Sequence, residues 1–335
     1  MAQAPDLDIA QGWIDLLQPR LGSEAVYASD EFFAPKERLI DPGEPHFIPG
    51  KYDDHGKWMD GWESRRKRGD FATLPPDRCV VRLGRPGVVH AFDIDTRHFT
   101  GNFPPRSSID GIVSNERAPG ESADWRPLLP ITEIKGDSRH PLAPPSPQYV
   151  THLRLNIFPD GGVARLRAYG RVSPPWGGDK PKQRVDLLAM ENGAIPVFAN
   201  NEHYGRLANI TAPGDAANMG DGWETRRRRE PGHDFGILEL ASPGLIEEIL
   251  VDTSFFKGNF PDRCSLQAAH APGAAREALV AQSDSWPVLL SEQKLSANAK
   301  HKFAELAAHQ PVTHVRLNIF PDGGVARLRL MGRVS

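Results

Sequence analysis

Arginine and carboxylate side chains occur side by side in two segments of the chain that nearly repeat each other. DGWESRRKR (60–68) places Glu63 just before a basic run, and DGWETRRRR (221–229) does the same with Glu224. A guanidinium can bind a carboxylate through two parallel hydrogen bonds, and a carboxyl group can transfer protons in catalysis. The two segments therefore predict an anion-binding site with acid–base chemistry. The candidates for the binding role are Arg65, Arg66 and Arg227.

A second set of polar side chains lies on one face of a predicted strand. Residues 152–158 alternate apolar with polar side chains, and residues 314–320 alternate in the same way. This period of two places the polar side chains on a common face. Histidine can transfer protons, whereas arginine can bind a carboxylate and asparagine can hydrogen-bond a polar ligand. The candidates here and on the following strand are His152, Arg154, Asn156 and Arg165, with His314, Arg316, Asn318 and Arg327 in the second copy.

A third pair of segments carries an aspartate and an asparagine at fixed spacing. The first segment is DTRHFTGNFP (95–104), and its counterpart in the second repeat is DTSFFKGNFP (252–261). The aspartates are candidate proton carriers and the asparagines are candidate hydrogen-bonding groups for a ligand. Gly-Asn is also an ordinary turn pair, so a loop held by side-chain to backbone hydrogen bonds explains these residues equally well. The residues concerned are Asp95, Asn102, Asp252 and Asn259.

Each of these sets also has a structural explanation. A basic run can be a solvated surface or a nucleic-acid patch, and the polar face of a sandwich strand normally faces solvent. Near-identity of the two copies on the polar face as well as the apolar face instead favours contact with something. That contact is a substrate, a neighbouring domain or a second subunit, so a homo-oligomer is compatible with the pattern. The sequence leaves these alternatives open.

Internal repetition organises the whole chain. Residues 151–173 and 313–335 are identical at 20 of 23 positions, and the other segment pairs recur in the same order. We therefore predict a duplicated domain with variable loops. The predicted boundaries are an N-terminal extension at 1–20, a first repeat at 21–173, a linker rich in Pro and Gly at 174–193, and a second repeat at 194–335.

Short apolar alternations between turn residues predict strands in both repeats. Residues 79–94 and 236–251 each indicate a hairpin, the first with its turn at Arg85-Pro86-Gly87. A second hairpin is predicted around the turn at 159–162, with Arg165 facing outward on its return strand. Only 270–282 indicates a helix, through its alanines. The pattern predicts an all-β fold of two tandem β-sandwich domains, most simply of the jelly-roll type.

The composition excludes several classes of protein. Apolar residues make up 39% and charged residues 25%, as in globular proteins that are soluble. The net charge of −3 argues against a nucleic-acid partner, and no segment has the roughly 20 apolar residues of a membrane span. Two isolated cysteines and an N-terminus that lacks a basic signal-peptide start predict a cytoplasmic protein.

The sequence predicts no cofactor. Its twelve histidines are scattered singly, and neither HExxH nor Cys-x-x-Cys occurs. A divalent metal remains the alternative, because His152 and His314 could converge on one in space.

The repeated segments resemble the allantoicase family. The matching segments are FFAPKE (32–37), GKWMDGWESRRKR (56–68) and, in both copies, DTxxFxGNFP and LNIFPDGGVARLR. The resemblance extends from about residue 20 to the last residue. It implies a repeated jelly-roll fold and the hydrolysis of allantoate to ureidoglycolate and urea during purine breakdown. The implied partner is the small molecule allantoate.

Such a reaction requires a bound carboxylate, a protonated leaving nitrogen and an activated water. We expect proton transfer by Glu63, Asp95 and His152, or by Glu224, Asp252 and His314 in the second copy. We expect substrate binding by Arg65, Arg66, Asn102, Arg154 and Arg165, and by Arg227, Asn259, Arg316 and Arg327. The alternative is a tandem jelly-roll carbohydrate-binding protein without catalysis, since a fold does not determine function. Trp62 and Trp223 argue weakly against it, because both lie within the DGWE segments and not on an exposed platform.

Overall fold

A computed structural model describes residues 12–70 and 73–335 and divides them into two units. The first unit includes Ile14–Arg171 and the second includes Val172–Ser335. Residues 1–11 of the predicted extension lie outside the described residues, and the edge strand of the first unit begins at Ile14. Both units consist mainly of antiparallel strands, which confirms the predicted all-β fold with two sandwich domains.

The strands of the first unit are short, apart from one. They are β1 (Ile14–Asp15), β2 (Glu24–Ala28), β3 (Tyr52–Asp53), β4 (Gly56–Lys57), β5 (Trp62–Glu63), β6 (Asp77–Asp95), β7 (Arg106–Ile112), β8 (Arg126–Glu133), β9 (Arg139–Leu142), β10 (Gln148–Phe158), β11 (Gly162–Val163) and β12 (Arg165–Val172). Two 3₁₀ turns, Pro19–Leu21 and Lys36–Ile40, lie between them.

Strand β6 organises the first unit. The main sheet has the order β1-β12-β6-β10-β7-β8, and β2 and β9 also pair with β6. Residues 77–82 of β6 pair with β10 and partly with β2, residues 87–89 pair with β10 again, and residues 92–95 pair with β9. The sheet therefore doubles over into two layers, and the apolar side of β10 faces the core between them. Leu153, Leu155 and Ile157 on that side are fully buried, as the alternation predicts.

The predicted hairpin within residues 79–94 was wrong. The chain bulges between Arg82 and Gly87 but does not reverse, because residues on both sides of the bulge pair with β10 in the same direction. Gly87 is required here for a close contact between two strands and not for a turn. A Cβ atom there would lie 2.4 Å from the carbonyl oxygen of Arg171, so only glycine allows the two backbones to approach. Residues 234–252 of the second unit likewise form a single strand.

The second predicted hairpin was also wrong. Strands β10 and β12 lie on opposite sides of β6 and do not pair with each other. The segment between them crosses from one layer to the other and forms β11, which pairs with β5. Gly161 has a φ of 135°, and a Cβ atom there would lie 2.7 Å from the nitrogen of Pro104. Glycine is therefore required at this crossing.

The second unit repeats this architecture. Its strands are β13 (Val185–Asp186), β14 (Ile195–Ala199), β15 (Trp223–Glu224), β16 (Asp234–Asp252), β17 (Arg263–Ala269), β18 (Val288–Lys294), β19 (Lys300–Phe303), β20 (Val312–Phe320), β21 (Gly324–Val325) and β22 (Arg327–Val334). The order β13-β22-β16-β20-β17-β18 matches that of the first unit. The 3₁₀ turns are Met190–Asn192, Leu207–Thr211, Met219–Asp221 and Ser283–Ser285.

The described residues of the second unit include an α-helix that has no counterpart in those of the first. Helix α1 (Arg276–Gln282) occupies the later part of the segment that the sequence predicts as helical. Within residues 12–70 and 73–335, no helix is long and apolar enough to cross a membrane.

Candidate functional site

Glu63 and Asn102, both predicted as site residues, are in contact at one end of the first unit. Glu63 lies on β5, which pairs with β11, and its side chain is buried. The Asn102 amide Nδ2 donates a hydrogen bond of 2.7 Å to Glu63 Oε1. Burial raises the pKa of Glu63, although the Asn102 hydrogen bond and the charge of Arg66 oppose that effect. A buried carboxyl group of this kind can hold a proton at higher pH than a free one.

The second unit contains the same pair. The Asn259 amide Nδ2 donates to Glu224 Oε1 and also lies 3.4 Å from Met219 Sδ. Arg227 is exposed and makes no hydrogen bond or ion pair within the part of the chain that the structure describes. The duplicated segments therefore meet at one end of each unit and place the same carboxylate–amide pair there.

Successive residues of the basic run in the first unit bind different carboxylates. Arg65 Nε lies 2.7 Å from Asp30 Oδ2, and Lys67 Nζ lies 2.9 Å from Asp77 Oδ1. Arg66 Nη1 lies 3.0 Å from an oxygen of the fully buried Asp160, and its Nη2 donates to the Gly101 carbonyl. The Arg66 side chain is 52% exposed. The run therefore connects several loops and does not form one anion-binding patch.

Arg165 does not face solvent, contrary to the alternation-based prediction. It is 2% exposed, because the loops that precede β5 cover this face of β12. Its Nη2 donates to Asp60 Oδ2 at 2.8 Å, and Nε and Nη1 donate to carbonyl oxygens, among them that of Gly43 at 2.9 Å. Burial acts to raise the pKa of Asp60, but the hydrogen bonds from Arg165 and from the His46 N–H outweigh it and lower that pKa.

Arg327 makes the same contacts in the second unit. Its Nη2 lies 2.6 Å from Asp221 Oδ2, and its Nη1 donates to the carbonyl oxygens of Asn209, Asp221 and Ala326. The structure gives Arg165 and Arg327 the role of holding the DGWE segments in place, and their guanidinium groups face protein acceptors.

Asp95 and Asp252 face their own loops. Asp95 accepts hydrogen bonds from the backbone N–H of Arg97 and from its Nε at 2.9 Å. Asp252 accepts one from the Ser254 N–H at 2.7 Å. Both carboxylates are buried. Their hydrogen bonds to nearby backbone N–H groups are those expected if the aspartates stabilise their own loops.

His152 and His314 lie beneath the surface of the sheet. His152 Nδ1 is 2.8 Å from Thr151 Oγ1, and its Nε2 is 3.2 Å from the Arg117 carbonyl oxygen. Burial lowers the pKa of His152, although the contact with the Arg117 carbonyl opposes that effect. His314 repeats the contact with its neighbouring threonine at 2.9 Å. Both imidazoles are buried.

Arg154, next to His152 on the polar face of β10, is held in place by Asp110 of β7. Arg154 Nε and Nη2 lie 3.0 and 2.8 Å from Asp110 Oδ2, which also accepts a hydrogen bond from Asn156. The Arg154 guanidinium lies 4.6 Å from the ring centroid of Trp125. Aspartate and tryptophan together fix the orientation of this guanidinium.

Arg154 opens onto a cleft of about 630 Å³ in the first unit. We name this the arginine cleft, and the polar residues of its lining that matter below are Lys67, Asp77, Arg78, Glu121 and Arg154. Asp77 is buried, and its Oδ2 has no hydrogen-bond partner among residues 12–70 and 73–335. Burial lowers the pKa of Arg78, and the positive charge of Arg154 lowers it further. Two guanidinium groups therefore face one concave space.

The second unit fills the corresponding position differently. Arg78 pairs with Asn156 across the first unit's strands, and Phe235 pairs with Asn318 in the second, so Phe235 replaces Arg78. The Arg316 guanidinium lies 3.9 Å from the Phe235 ring centroid. Phe235 packs against a buried apolar cluster of Val197, Ile237, Leu279 and Trp286.

Comparison with known proteins agrees with the geometry of the repeated units. The model of the allantoicase repeat matches this chain twice, over residues 14–173 and 185–335. The chain belongs to the allantoicase family. These two matches correspond to the two structural units, and the carboxylate–amide pair lies within each of them.

Relatives of this family match the chain over nearly its full length. The probable allantoicase 2 of Burkholderia pseudomallei is 56% identical over 99% of both chains. The probable allantoicase of Ralstonia nicotianae is 53% identical over 98% of this chain and 97% of its own. The crystal structure of allantoicase from Saccharomyces cerevisiae covers 96% of this chain and 93% of its own, with 32% identity and a TM-score of 0.80.

Sequence reasoning missed three polar residues of the arginine cleft. Asp77, Arg78 and Glu121 lie outside the duplicated segments that supplied the candidates. Asp77 nevertheless has a counterpart in Asp234, since the two aspartates pair with the equivalent residues Ile157 and Ile319, whereas Arg78 is not repeated. The signal that could have revealed Arg78 is a difference between the copies, because the second repeat carries Phe235 at the equivalent position.

Within residues 12–70 and 73–335, no group of three or more His, Cys, Asp or Glu side chains is arranged to hold a metal ion. The two cysteines are buried free thiols, and burial raises the pKa of Cys264 to about 12.

Proposed function

We propose that this chain hydrolyses allantoate to ureidoglycolate and urea, and that the arginine cleft of the first unit binds the substrate. Membership of the allantoicase family over both repeats supports the reaction. The single structural observation that carries the site is the pair of arginines, Arg78 and Arg154, in the lining of one cleft.

The cleft suits a small carboxylate with polar arms. Binding sites for small molecules commonly have volumes of about 300–1,000 Å³ and place a few polar groups among apolar walls. The cleft, at about 630 Å³, falls within this range, and Tyr27, Val80 and Pro119 supply less polar parts of its lining. Guanidinium groups suit a planar carboxylate, since two parallel hydrogen bonds can form at once.

Asp77 is the group in the cleft that we assign to proton transfer. In the reaction, the oxygen of water bonds to the central carbon and the C–N bond breaks with its electron pair on the ureido nitrogen. A proton from the water side must reach that nitrogen. Asp77 can accept or donate this proton through Oδ2, while Oδ1 is held by Ser29 at 2.9 Å and by Lys67. Glu63, Asp95 and His152 do not line the cleft, and their predicted catalytic roles stay predictions.

We further propose that the enzyme needs no metal, acts in the cytoplasm and has no nucleic-acid partner. The scattered histidines, the two free thiols and the net charge of −3 support these three points in turn.

The test is release of urea from allantoate by the purified protein, with allantoin as the control substrate. We expect urea from allantoate and no opening of the allantoin ring. A preparation that melts cooperatively, is supplied with divalent metals and still leaves allantoate intact would overturn the proposal. Activity lost on chelation and restored by one divalent ion would contradict the absence of a metal. Sugar binding without any hydrolysis would favour the carbohydrate-binding alternative.

A further inference from the structure

The two repeats differ in their chemistry at the floor of the arginine cleft. We propose that each chain has a single carboxylate-binding site, formed by Arg78 and Arg154 of the first unit, and that the second unit's counterpart is closed by Phe235 and α1. This inference rests on the proposed function, because it names the part of the chain that binds that substrate. Arg78 is then the residue that distinguishes the binding repeat from the other.

Strand register places the two arginines of the first unit on one face of the sheet. Arg154 is opposite Val80, and Arg78 is opposite Asn156, so the arginines are diagonal neighbours on β10 and β6. Diagonal neighbours in an antiparallel pair are about 7–8 Å apart at the backbone, within reach of long side chains. Both line the same cleft, so a single small anion can contact both guanidinium groups.

The charges around this pair leave a place for an anion. Asp110 faces Arg154 from β7 and accepts both of its hydrogen bonds on one oxygen. Arg78 forms an ion pair with Glu121, whose side chain is 74% exposed. Arg78 thus already binds a carboxylate, and that carboxylate belongs to an exposed side chain that a bound ligand can displace.

The equivalent arginine of the second unit, Arg316, is hydrogen-bonded to side chains of the protein. Arg316 Nε donates to Asn318 Oδ1 at 2.8 Å, Nη1 donates to Ser283 Oγ at 3.0 Å, and Nη2 lies 3.1 Å from Asp284 Oδ1. Its side chain is 5% exposed, against 14% for Arg154. No second guanidinium replaces Arg78 here, because Phe235 occupies that position and stacks on Arg316.

Helix α1 contributes to the closure of the second unit. Its Leu279 is buried in the cluster with Trp286, and Phe235 packs on that cluster. The equivalent loop of the first unit carries Pro119, Gly120 and Glu121, which line the cleft instead of filling it. The exchange of a loop that lines the cleft for a helix that buries Leu279 therefore accompanies the exchange of Arg78 for Phe235.

The first experiment counts ligands per chain. N-Carbamoylglycine carries the carboxylate and one ureido arm but lacks the second ureido group that would leave, so it serves as a non-reacting probe. Calorimetric titration of the full chain should give one site. A stoichiometry of two would overturn the proposal.

The second experiment compares arginines in matched positions. Arg78→Lys and Arg154→Lys keep the charge but lose the paired donors, and each should weaken probe binding and raise KM by about tenfold or more. Arg316→Lys should lower the melting temperature and change probe affinity by less than about twofold. Loss of affinity in Arg316→Lys equal to that in Arg78→Lys would overturn the single-site proposal.

A third variant tests the role of Arg78 without replacing any arginine. Glu121→Gln leaves Arg78 in place and removes the carboxylate that competes with the ligand, so probe affinity should rise severalfold. Unchanged or weaker binding would contradict the assignment of Arg78. If wild-type protein binds the probe once per chain but releases no urea, the proposed function fails while the single site stands.

Discussion

Replacement of Arg165 by methionine tests whether this arginine binds substrate or holds the loop that carries Glu63. Arg165 is buried and forms an ion pair of 2.8 Å with Asp60, together with hydrogen bonds to carbonyl oxygens of the surrounding loops. Methionine fills a similar volume and removes every donor. Asp60 would then be a buried carboxylate without its arginine, with only the His46 N–H and the His46 Nδ1, 2.8 Å away, as remaining partners.

The size of the effect follows from this burial. Removal of one partner from a buried ion pair costs about 3–5 kcal/mol, because the other charge stays desolvated. In a domain of roughly this size, each kcal/mol lowers the melting temperature by about 2–4 °C. Arg165→Met should therefore melt about 6–20 °C below the wild type. Arg165→Lys retains the charge and should lose less, since one ammonium can still reach Asp60.

The assay combines thermal melts with steady-state urea release at temperatures where each variant is folded. We expect a large fall in melting temperature with KM changed by less than about twofold, since the loss lies in stability and not in binding. Arg327→Met, at the equivalent position in the second unit, should behave in the same way. A melting temperature equal to the wild type with KM raised tenfold would refute this reasoning and restore Arg165 as a substrate ligand.

Three further predictions concern the first unit. Asp110→Asn should raise KM about tenfold with kcat nearly unchanged, because Asp110 orients Arg154; an equal fall in kcat would argue against a positioning role. Because the pKa of Glu63 is raised, the stability that this group contributes is full below about pH 4.5 and is lost as pH rises through its folded pKa. Glu63→Gln should remove that loss and melt no lower than wild type at neutral pH, and a lower melting temperature there would contradict the raised pKa. Because burial lowers the pKa of His152, the stability that this imidazole contributes is full above about pH 6.5 and is lost as pH falls through its folded pKa. The melting temperature of a His152→Gln variant should therefore fall less steeply with acidification than that of the wild type.

Local pattern was sufficient to predict the class of fold and the duplication, but not the connection of strands. The alternation in residues 152–158 correctly predicted which side chains enter the core. It could not show that β6 continues through both layers, because Arg85-Pro86-Gly87 has the composition of a turn. In the structure, Gly87 instead allows a close approach to the backbone of Arg171. Local composition does not distinguish a reversal of the chain from a bulge between two pairings.

The site residues show a similar limit. Glu63 and Asn102 were predicted as site residues in two separate segments, and no local pattern indicated that these segments meet, as the hydrogen bond between the two side chains shows they do. Arg165 was assigned to the solvent face, since alternation distinguishes two faces of a strand but not what covers each face. Arg78 could not be found by repetition, because the residue matters only where the repeats differ.

Strand β6 has a consequence for how the first unit comes apart. Since β6 pairs with β2 and β10 in its first half and with β10 and β9 in its second half, neither layer can lose this strand while the other stays intact. Amide protons in both layers should therefore exchange with solvent water as one cooperative set, at the rate set by global opening. Fraying is confined to strands such as β8, which pair on one side at the sheet edge.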